Sequence, residues 1–371
     1  MASARQGEKE SGCLRSGQVD RRRFLRGLLL LGGGIAWGLF RGVSPVCAFT
    51  VISEAKEEAI GKRAHQEILN KFGYYKDEAL QAYVTRVGRR VLREAEPNPF
   101  KFQFTVVDQP VINAFAVPGG FVYVTRGILA QLNSEAELAT VLGHEIAHVT
   151  SHHSAEQLTR ALGAQILTLG LAAVSPGGRQ NAAGWLALSS ELFTQILLGY
   201  GREAELEADE KGLRSAVKAG YDPRGMVNFM RALQIQNRLS GVGYHALRGT
   251  HPDTLERIDR ARVMVGILTP EAKRSLAVKA DEYKAHLDGL VYGKRRERKR
   301  VRIVTARGGE NLKQVAQSLW GTENRAWDLA LLNGIRDESR PLHAGQKLKV
   351  IYDPLDEPPL RLPKDLSRAM P

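Results

Sequence analysis

The sequence predicts an α+β fold, a mainly helical domain with a short sheet followed by a small β-α-α-β domain. Three observations predict it. Helix-period apolar patterns fill most of the chain from Lys56 onward, and extended stretches such as Phe102–Val107 and Val122–Thr125 are few. A basic run from Lys294 to Arg300 then precedes a change in composition. The expected divisions are a leader over 1–48, a main domain over 49–285, a basic linker over 286–300, a small domain over 301–352 and a tail over 353–371. With the leader removed, about 320 residues suffice for one substantial core plus a small domain. No internal repeat is evident.

The leader contains Asp20-Arg21-Arg22-Arg23-Phe24-Leu25, which resembles a twin-arginine export signal. The apolar run from Gly27 to Phe40 is too short to span a bilayer comfortably and has the length of a signal-peptide core. Val46-Cys47-Ala48 has small residues suited to cleavage after Ala48; retention of the leader as a membrane anchor is the alternative. Both cysteines, Cys13 and Cys47, lie in this leader, so the mature chain is expected to have no disulfide. The leader carries a net charge of +5 out of the chain's +13, and Lys294 to Arg307 carries +7, which leaves the rest nearly neutral. The basic run reads as an exposed linker, either free in solvent or favouring anionic lipid or cell-wall polymer. A periplasmic location is expected, and with it no nucleic-acid partner.

Lys56–Phe72 and Glu78–Glu94 read as amphipathic helices ahead of the strands. Ser134 to Glu137 has the spacing of a capping box, and Leu138, Val141, Leu142 and Ile146 form the apolar stripe of the helix it opens. That helix contains His144-Glu145-Ile146-Ala147-His148. Residues four apart share a helix face, so the two imidazoles can point at one metal ion with Glu145 beside it. A second helical stretch begins with Glu205 to Asp209 and ends near Gly220; on it Glu205 and Asp209 share a face. Two histidines and a glutamate form a known catalytic zinc set that leaves one position open. Glu205 fits as the third ligand, and Asp209 can accept the free N–H of a ligating histidine. Ser154 stands where a third histidine would stand in the alternative zinc-peptidase pattern.

His144 to Val149 with His153, followed by the E-x-x-x-D pattern from Glu205 to Asp209, resembles the gluzincin peptidases of the HtpX and CAAX-prenyl-protease family, peptidase family M48, in its BepA-like periplasmic branch. Two further stretches agree with that resemblance: Asn113 to Gly120 with Val122 to Gly127, and Thr250-His251-Pro252 with Glu256-Arg257-Ile258. The resemblance spans roughly residues 50 to 285 and implies a zincin-type metallopeptidase domain holding one zinc ion per chain. It implies His144, His148 and Glu205 as ligands and Glu145 as general base toward a zinc-activated water. His251 is implied near the metal, to stabilise an oxyanion or to occupy the open position. Asn113, Gly119 and Gly120 read either as support for an edge strand that pairs with extended substrate, or as a plain turn between strands.

Leu162–Val174 and Ala182–Leu198 are apolar but short of a membrane span. They read as core helices, a lid over the cleft, or an amphipathic hairpin in peripheral membrane contact. From Ile303 onward the order is strand, helix from Val315 to Leu319, helix from Trp327 to Leu332, and a closing strand within Leu342–Val350. Val304-Thr305 with Gly309-Glu310 and Pro341-Leu342 with Gly345 to Val350 resemble a LysM module, with Gly309-Glu310-Asn311 departing from that module's usual G-D-T. The resemblance implies binding to N-acetylglucosamine glycans such as peptidoglycan; a merely structural cap is the alternative.

Two functions follow from these expectations. One is an exported zinc endopeptidase acting on unfolded or misassembled envelope proteins, and the other is a chaperone or scaffold at the cell wall that uses the site little. The export expectation has a direct test: replacing Arg21 and Arg22 by Lys should retain the chain in the cytoplasm, as read by cell fractionation. Unchanged export would remove the twin-arginine assignment.

Overall fold

The computed structural model describes residues 53–157, 159, 199–240, 251, 255–267 and 274–355. The expected leader, the apolar pair within 161–198, the T-H-P segment apart from His251, and the tail beyond 355 lie outside the described residues.

Helices α1 (Glu54–Phe72) and α2 (Glu78–Leu92) open the fold. Asp77 caps α2 by accepting from the Leu80 amide at 2.9 Å. Leu80, Tyr83, Val84, Val87 and Val91 give α2 one continuous buried stripe. The sheet holds β1 (Gln103–Val107), β2 (Ala114–Val117) and β3 (Phe121–Thr125) in the order β1-β3-β2, with β1 parallel and β2 antiparallel to β3. From α2, the Gln81 side chain accepts from the Val106 amide and donates to the Val106 and Tyr75 carbonyls, each at 2.9 Å. It thereby satisfies backbone that an edge strand leaves unpaired. Every residue of β2 and β3 is buried, which explains why strict alternation is missing from both.

A short helix, α3 (Arg126–Gln131), leads to α4 (Glu135–Thr150), which carries the two histidines. Ser134 caps α4, its Oγ accepting from the Glu137 amide at 3.1 Å. Glu137 reaches back one residue further than the sequence pattern implies, accepting from the Asn133 amide at 2.7 Å. The next two amides of α4 donate to the Lys279 and Val278 carbonyls, so a distant segment completes the cap. Helix α5 (Arg202–Lys218) ends at Gly220, whose φ of +86° suits the left-handed turn.

Helices α4 and α5 cross where Gly143 meets Gly212. A Cβ on Gly143 would lie 2.6 Å from the Gly212 carbonyl oxygen, and one on Gly212 would lie 2.5 Å from the His144 amide nitrogen. Any side chain at either position forces the helices apart, at a cost of about 1–3 kcal/mol. Helix α6 (Arg224–Ser240) and helix α7 (Leu255–Ile267), neither anticipated from periodicity, pack on this pair through Met226, Val227, Met230, Leu213 and Ile258.

The last part of the chain is more closely joined to the first than its composition suggests. Helix α8 (Ala280–Ala285) leads into a stretch whose side chains from Lys294 to Arg300 are mostly exposed, but whose backbone is docked. The Arg126 guanidinium donates to the Val291 and Gly293 carbonyls at 2.9 and 2.7 Å, and Arg295 pairs with Asp108 at 2.5 Å. The expected solvated linker is therefore a folded turn. Strands β4 (Arg300–Thr305) and β5 (Lys347–Tyr352) pair antiparallel around α9 (Leu312–Trp320) and α10 (Ala326–Leu332), giving the β-α-α-β order with its own core. Val301 nevertheless belongs to the main core.

Lys349 on β5 is fully buried, and its ammonium donates to the Ala130 and Leu132 carbonyls at 2.7 Å and to Gln131 at 3.4 Å. These are the free carbonyls at the end of α3, although burial and then the Lys284 charge push the Lys349 pKa well below that of an exposed lysine. Changing Lys349 to Met should lower unfolding stability by about 2–4 kcal/mol, the scale of stranding two buried carbonyls. Urea denaturation of the full chain reads this, and an unshifted midpoint would show that the contact contributes nothing.

Candidate metal centre

The glycine crossing brings Glu205, on the first turn of α5, beneath the two histidines of α4. His144 Nε2 lies 3.0 Å from His148 Nε2 and 3.1 Å from His251 Nδ1. The Glu205 carboxylate approaches His144 at 3.5 Å, His148 at 3.4 Å and His251 at 2.8 Å. All four side chains are buried, and one donor atom from each falls within 4.8 Å of the others.

A second layer of contacts aims these donors. Asp209, one turn after Glu205, has Oδ1 at 2.8 Å from His144 Nδ1. The carboxylate beside Nδ1 favours a proton on that nitrogen, the tautomer that leaves His144 Nε2 facing the cluster free to ligate. On the other histidine, His148 Nδ1 lies 2.9 Å from His153 Nδ1. His152 takes a left-handed conformation, φ +55°, which reverses the chain after α4 and returns His153 to that position. The His152 ring meets Glu57 of α1 at 2.8 Å, which anchors the reversal. Tyr200 stacks on His148 with ring centroids 3.9 Å apart and places its hydroxyl 2.6 Å from Ser154 Oγ. Ser154, at the position where a third histidine was considered, thus holds an aromatic wall of the site.

Arg257 on α7 joins the two acids. Its guanidinium meets Asp209 at 2.6 and 2.8 Å and Glu205 at 2.8 Å. Burial alone would raise the Asp209 pKa, but the Arg257 hydrogen bonds and charge outweigh it and hold the carboxyl below its ordinary range. Burial also opposes ionisation of Glu205, and the His251 charge with the hydrogen bonds from His148 and His251 overrides it, leaving Glu205 well below the usual carboxylate range. His251 is disfavoured as a cation by burial, yet Glu205 and Glu145 push it up to about 9. Glu145 behaves differently. Burial raises its pKa, only partly offset by His251 and His144, and its Oε2 has no hydrogen-bond partner among the described residues.

The donor set fits a zinc ion. Ring nitrogens of His144, His148 and His251 converge at 3.0 and 3.1 Å beside an ionised carboxylate, and two histidines with a glutamate are borderline-soft ligands suited to zinc. Beside the cluster is a small pocket with Met226, Phe229, Met230 and Leu233 of α6 on one side and Thr140, Val141 and Glu145 of α4 on the other.

The expected substrate-strand residues lie a little apart. Asn113 is buried just before β2, and its carbonyl accepts from the Thr125 amide at 3.0 Å. Gly119 and Gly120 turn the chain from β2 into β3 at φ values of +81° and +94°. A Cβ on Gly119 would sit 2.8 Å from the Glu58 Cα of α1, so close packing demands glycine there. Strand β2 is at an edge of the sheet. Arg257, His153 and Tyr200 had no role in the sequence reading. Arg257 and His153 stood within its motifs, while Tyr200 offered no local signal because its partners are distant in sequence.

Comparison with known proteins agrees with this geometry. The profile of Peptidase family M48 matches residues 78–265. The chain is 31% identical over 252 residues to mitochondrial metalloendopeptidase OMA1 of Schizosaccharomyces pombe, covering 64% of this chain and 71% of that one. It is 29% identical over 237 residues to the beta-barrel assembly-enhancing protease of Escherichia coli K12, covering 62% of this chain and 47% of that one. It is 35% identical over 156 residues to mitochondrial metalloendopeptidase OMA1 of Arabidopsis thaliana, covering 42% and 30%. The chain thus spans less than half the length of the bacterial protease it matches.

Changing Asp209 to Ala should weaken zinc binding by about 10–100-fold, the usual effect of removing a partner that orients a ligand. Competition with a chromogenic chelator measures it, and unchanged affinity would deny Asp209 that role. A matched domain that contains the buried His144, His148, Glu205 and His251 donors places the chain in Peptidase family M48, as a zinc metallopeptidase.

Proposed function

We propose that this chain is an exported endopeptidase that cleaves unfolded or misassembled envelope proteins in the periplasm, with its C-terminal domain holding it to peptidoglycan. The observation that carries the peptidase part is Glu145. It is a buried carboxyl with an unpartnered Oε2, held beside four converging metal donors. His144, His148 and Glu205 would hold the zinc, which supplies Lewis acidity at the open side of the site. Glu145, with a raised pKa, takes a proton from the attacking water at a carboxylate oxygen and later delivers it to the leaving amine. His251, with Nε2 at 3.4 Å from Glu145 Oε1, is placed to donate to negative charge developing on the substrate carbonyl oxygen.

Substrate main chain pairs along β2, an edge strand of the sheet, which needs an extended and therefore unfolded segment. The methionine-lined pocket accepts an apolar side chain beside the cleaved bond, with the adaptability that thioether side chains give. The names of the bacterial relatives refer to β-barrel assembly, and the leader's Arg21-Arg22 pair supports an extracytoplasmic site. Among the described residues no helix is long and apolar enough to cross a membrane. Glycan binding is supported by the β-α-α-β order and by the Gly345 to Val350 close.

A second reading, a chaperone or scaffold with little proteolysis, is favoured by one observation. Catalytic zinc sites have three protein ligands, and His251 Nδ1 at 2.8 Å from Glu205 supplies a fourth donor that would close the coordination sphere. Glu145→Gln separates the two readings. The peptidase reading expects zinc content to persist while casein cleavage falls by about 10²–10⁴-fold, the usual contribution of a general base. Full rescue of an envelope defect by the inactive variant would favour the scaffold.

A further inference from the structure

Helix α1 buries a carboxyl that the chemistry of the metal centre does not use. Glu57, Ile60, Ala64 and Ile68 recur at helical spacing along the core-facing side of α1, and Glu57 is only 2% exposed. An apolar side chain would suit that position, and burial raises the Glu57 pKa, so the carboxyl stands there against a desolvation cost. The basic group that meets it is His152, 95 positions later, with Nδ1 2.8 Å from Glu57 Oε1.

His152 is where the chain reverses after α4, and its left-handed φ of +55° is one that a side chain disfavours. Two contacts hold its ring in place, the Glu57 carboxyl and the edge of Phe100, with ring centroids 5.8 Å apart. The reversal delivers the next residue, His153, to the zinc helix. His153 Nδ1 lies 2.9 Å from His148 Nδ1, and its Nε2 lies 3.3 Å from Glu207 Oε2. Lys211, 2.8 Å from Glu207, holds that carboxyl below its ordinary range. An ionised carboxylate beside Nε2 favours a proton there, which leaves His153 Nδ1 to accept from His148 Nδ1 and frees His148 Nε2 to ligate. The two zinc histidines are thus oriented differently. His144 has a carboxylate of the neighbouring helix against its ring, whereas His148 has an imidazole whose place depends on a strained turn.

We propose that Glu57 is a positioning residue for the zinc ligand His148: through His152 it pins the reversal that brings His153 against His148 Nδ1. The inference rests on His148 being a ligand, and it gives the first helix of the domain a part in the metal centre.

Zinc affinity of the full chain, measured by competition with a chromogenic chelator, tests this independently of activity. Glu57→Ala should weaken binding about tenfold, the lower end of what loss of a ligand's orienting partner does. Glu57→Gln keeps an oxygen that can accept from His152 and should stay near the parent affinity. His152→Gly adopts the reversal without strain but lacks the ring, so it should weaken binding as Glu57→Ala does. It also leaves Glu57 in place, and carries the test by itself should Glu57→Ala fail to fold. In a double-mutant cycle, Glu57→Ala should weaken zinc binding no further once His153→Ala is present, because both act through one contact. An undiminished Glu57 effect in the His153→Ala background marks a general contribution to the fold and overturns the proposal. Parent affinity in His152→Gly, or in folded Glu57→Ala, overturns it as well. Parent affinity in His148→Ala would instead remove His148 as a ligand, and this inference with it.

Discussion

The metal centre depends on one backbone contact, the crossing of α4 and α5 at Gly143 and Gly212. The histidines are on one helix and the carboxylate on the other, and a zinc ion tolerates only a narrow range of ligand distances. A methyl group at either glycine would meet main chain at about 2.5 Å, and main chain cannot rotate away as a side chain can. Two residues without side chains therefore set how far Glu205 stands from His144 and His148. The capped start of α4 and the Gly220 stop of α5 then fix where along each helix the ligands fall.

Within that spacing, charge is balanced by a buried network. Arg257 links Glu205 and Asp209, Asp209 holds His144, and His153 holds His148. Arg257 keeps the buried Asp209 carboxyl ionised, and His251 with His148 does the same for Glu205. Glu145 is left out of the network. Its carboxyl faces His251 at 3.4 Å, but burial outweighs that charge and raises its pKa, whereas Glu205 is held low.

How much of this could be read from sequence follows from the range of each interaction. The helix pair, the capping serine, the glycine stop and the H-E-x-x-H spacing are local, and each was legible. Glu205 and Asp209 were legible as a pair because helical spacing puts them on one face. The partner of Gly143 was not, since Gly212 gains its meaning only from a crossing 69 positions away. Tyr200 and Lys349 were silent for the same reason. Helices α6 and α7 were not legible in the same way, because the residues they pack on, such as Leu213, are distant in sequence from most of each helix. The basic stretch misled in another way: its side chains are mostly exposed as its composition implies, while the carbonyls of Val291 and Gly293 just before it are held by Arg126.

Lys349 has a consequence for how the protein is made. The carbonyls it satisfies lie at the end of α3, directly before the Ser134 cap that starts the histidine helix, and it follows Gln131 by 218 positions. During synthesis those carbonyls wait until β5 has left the ribosome. The platform beneath the metal ligands is thus completed only after all the ligands have been translated.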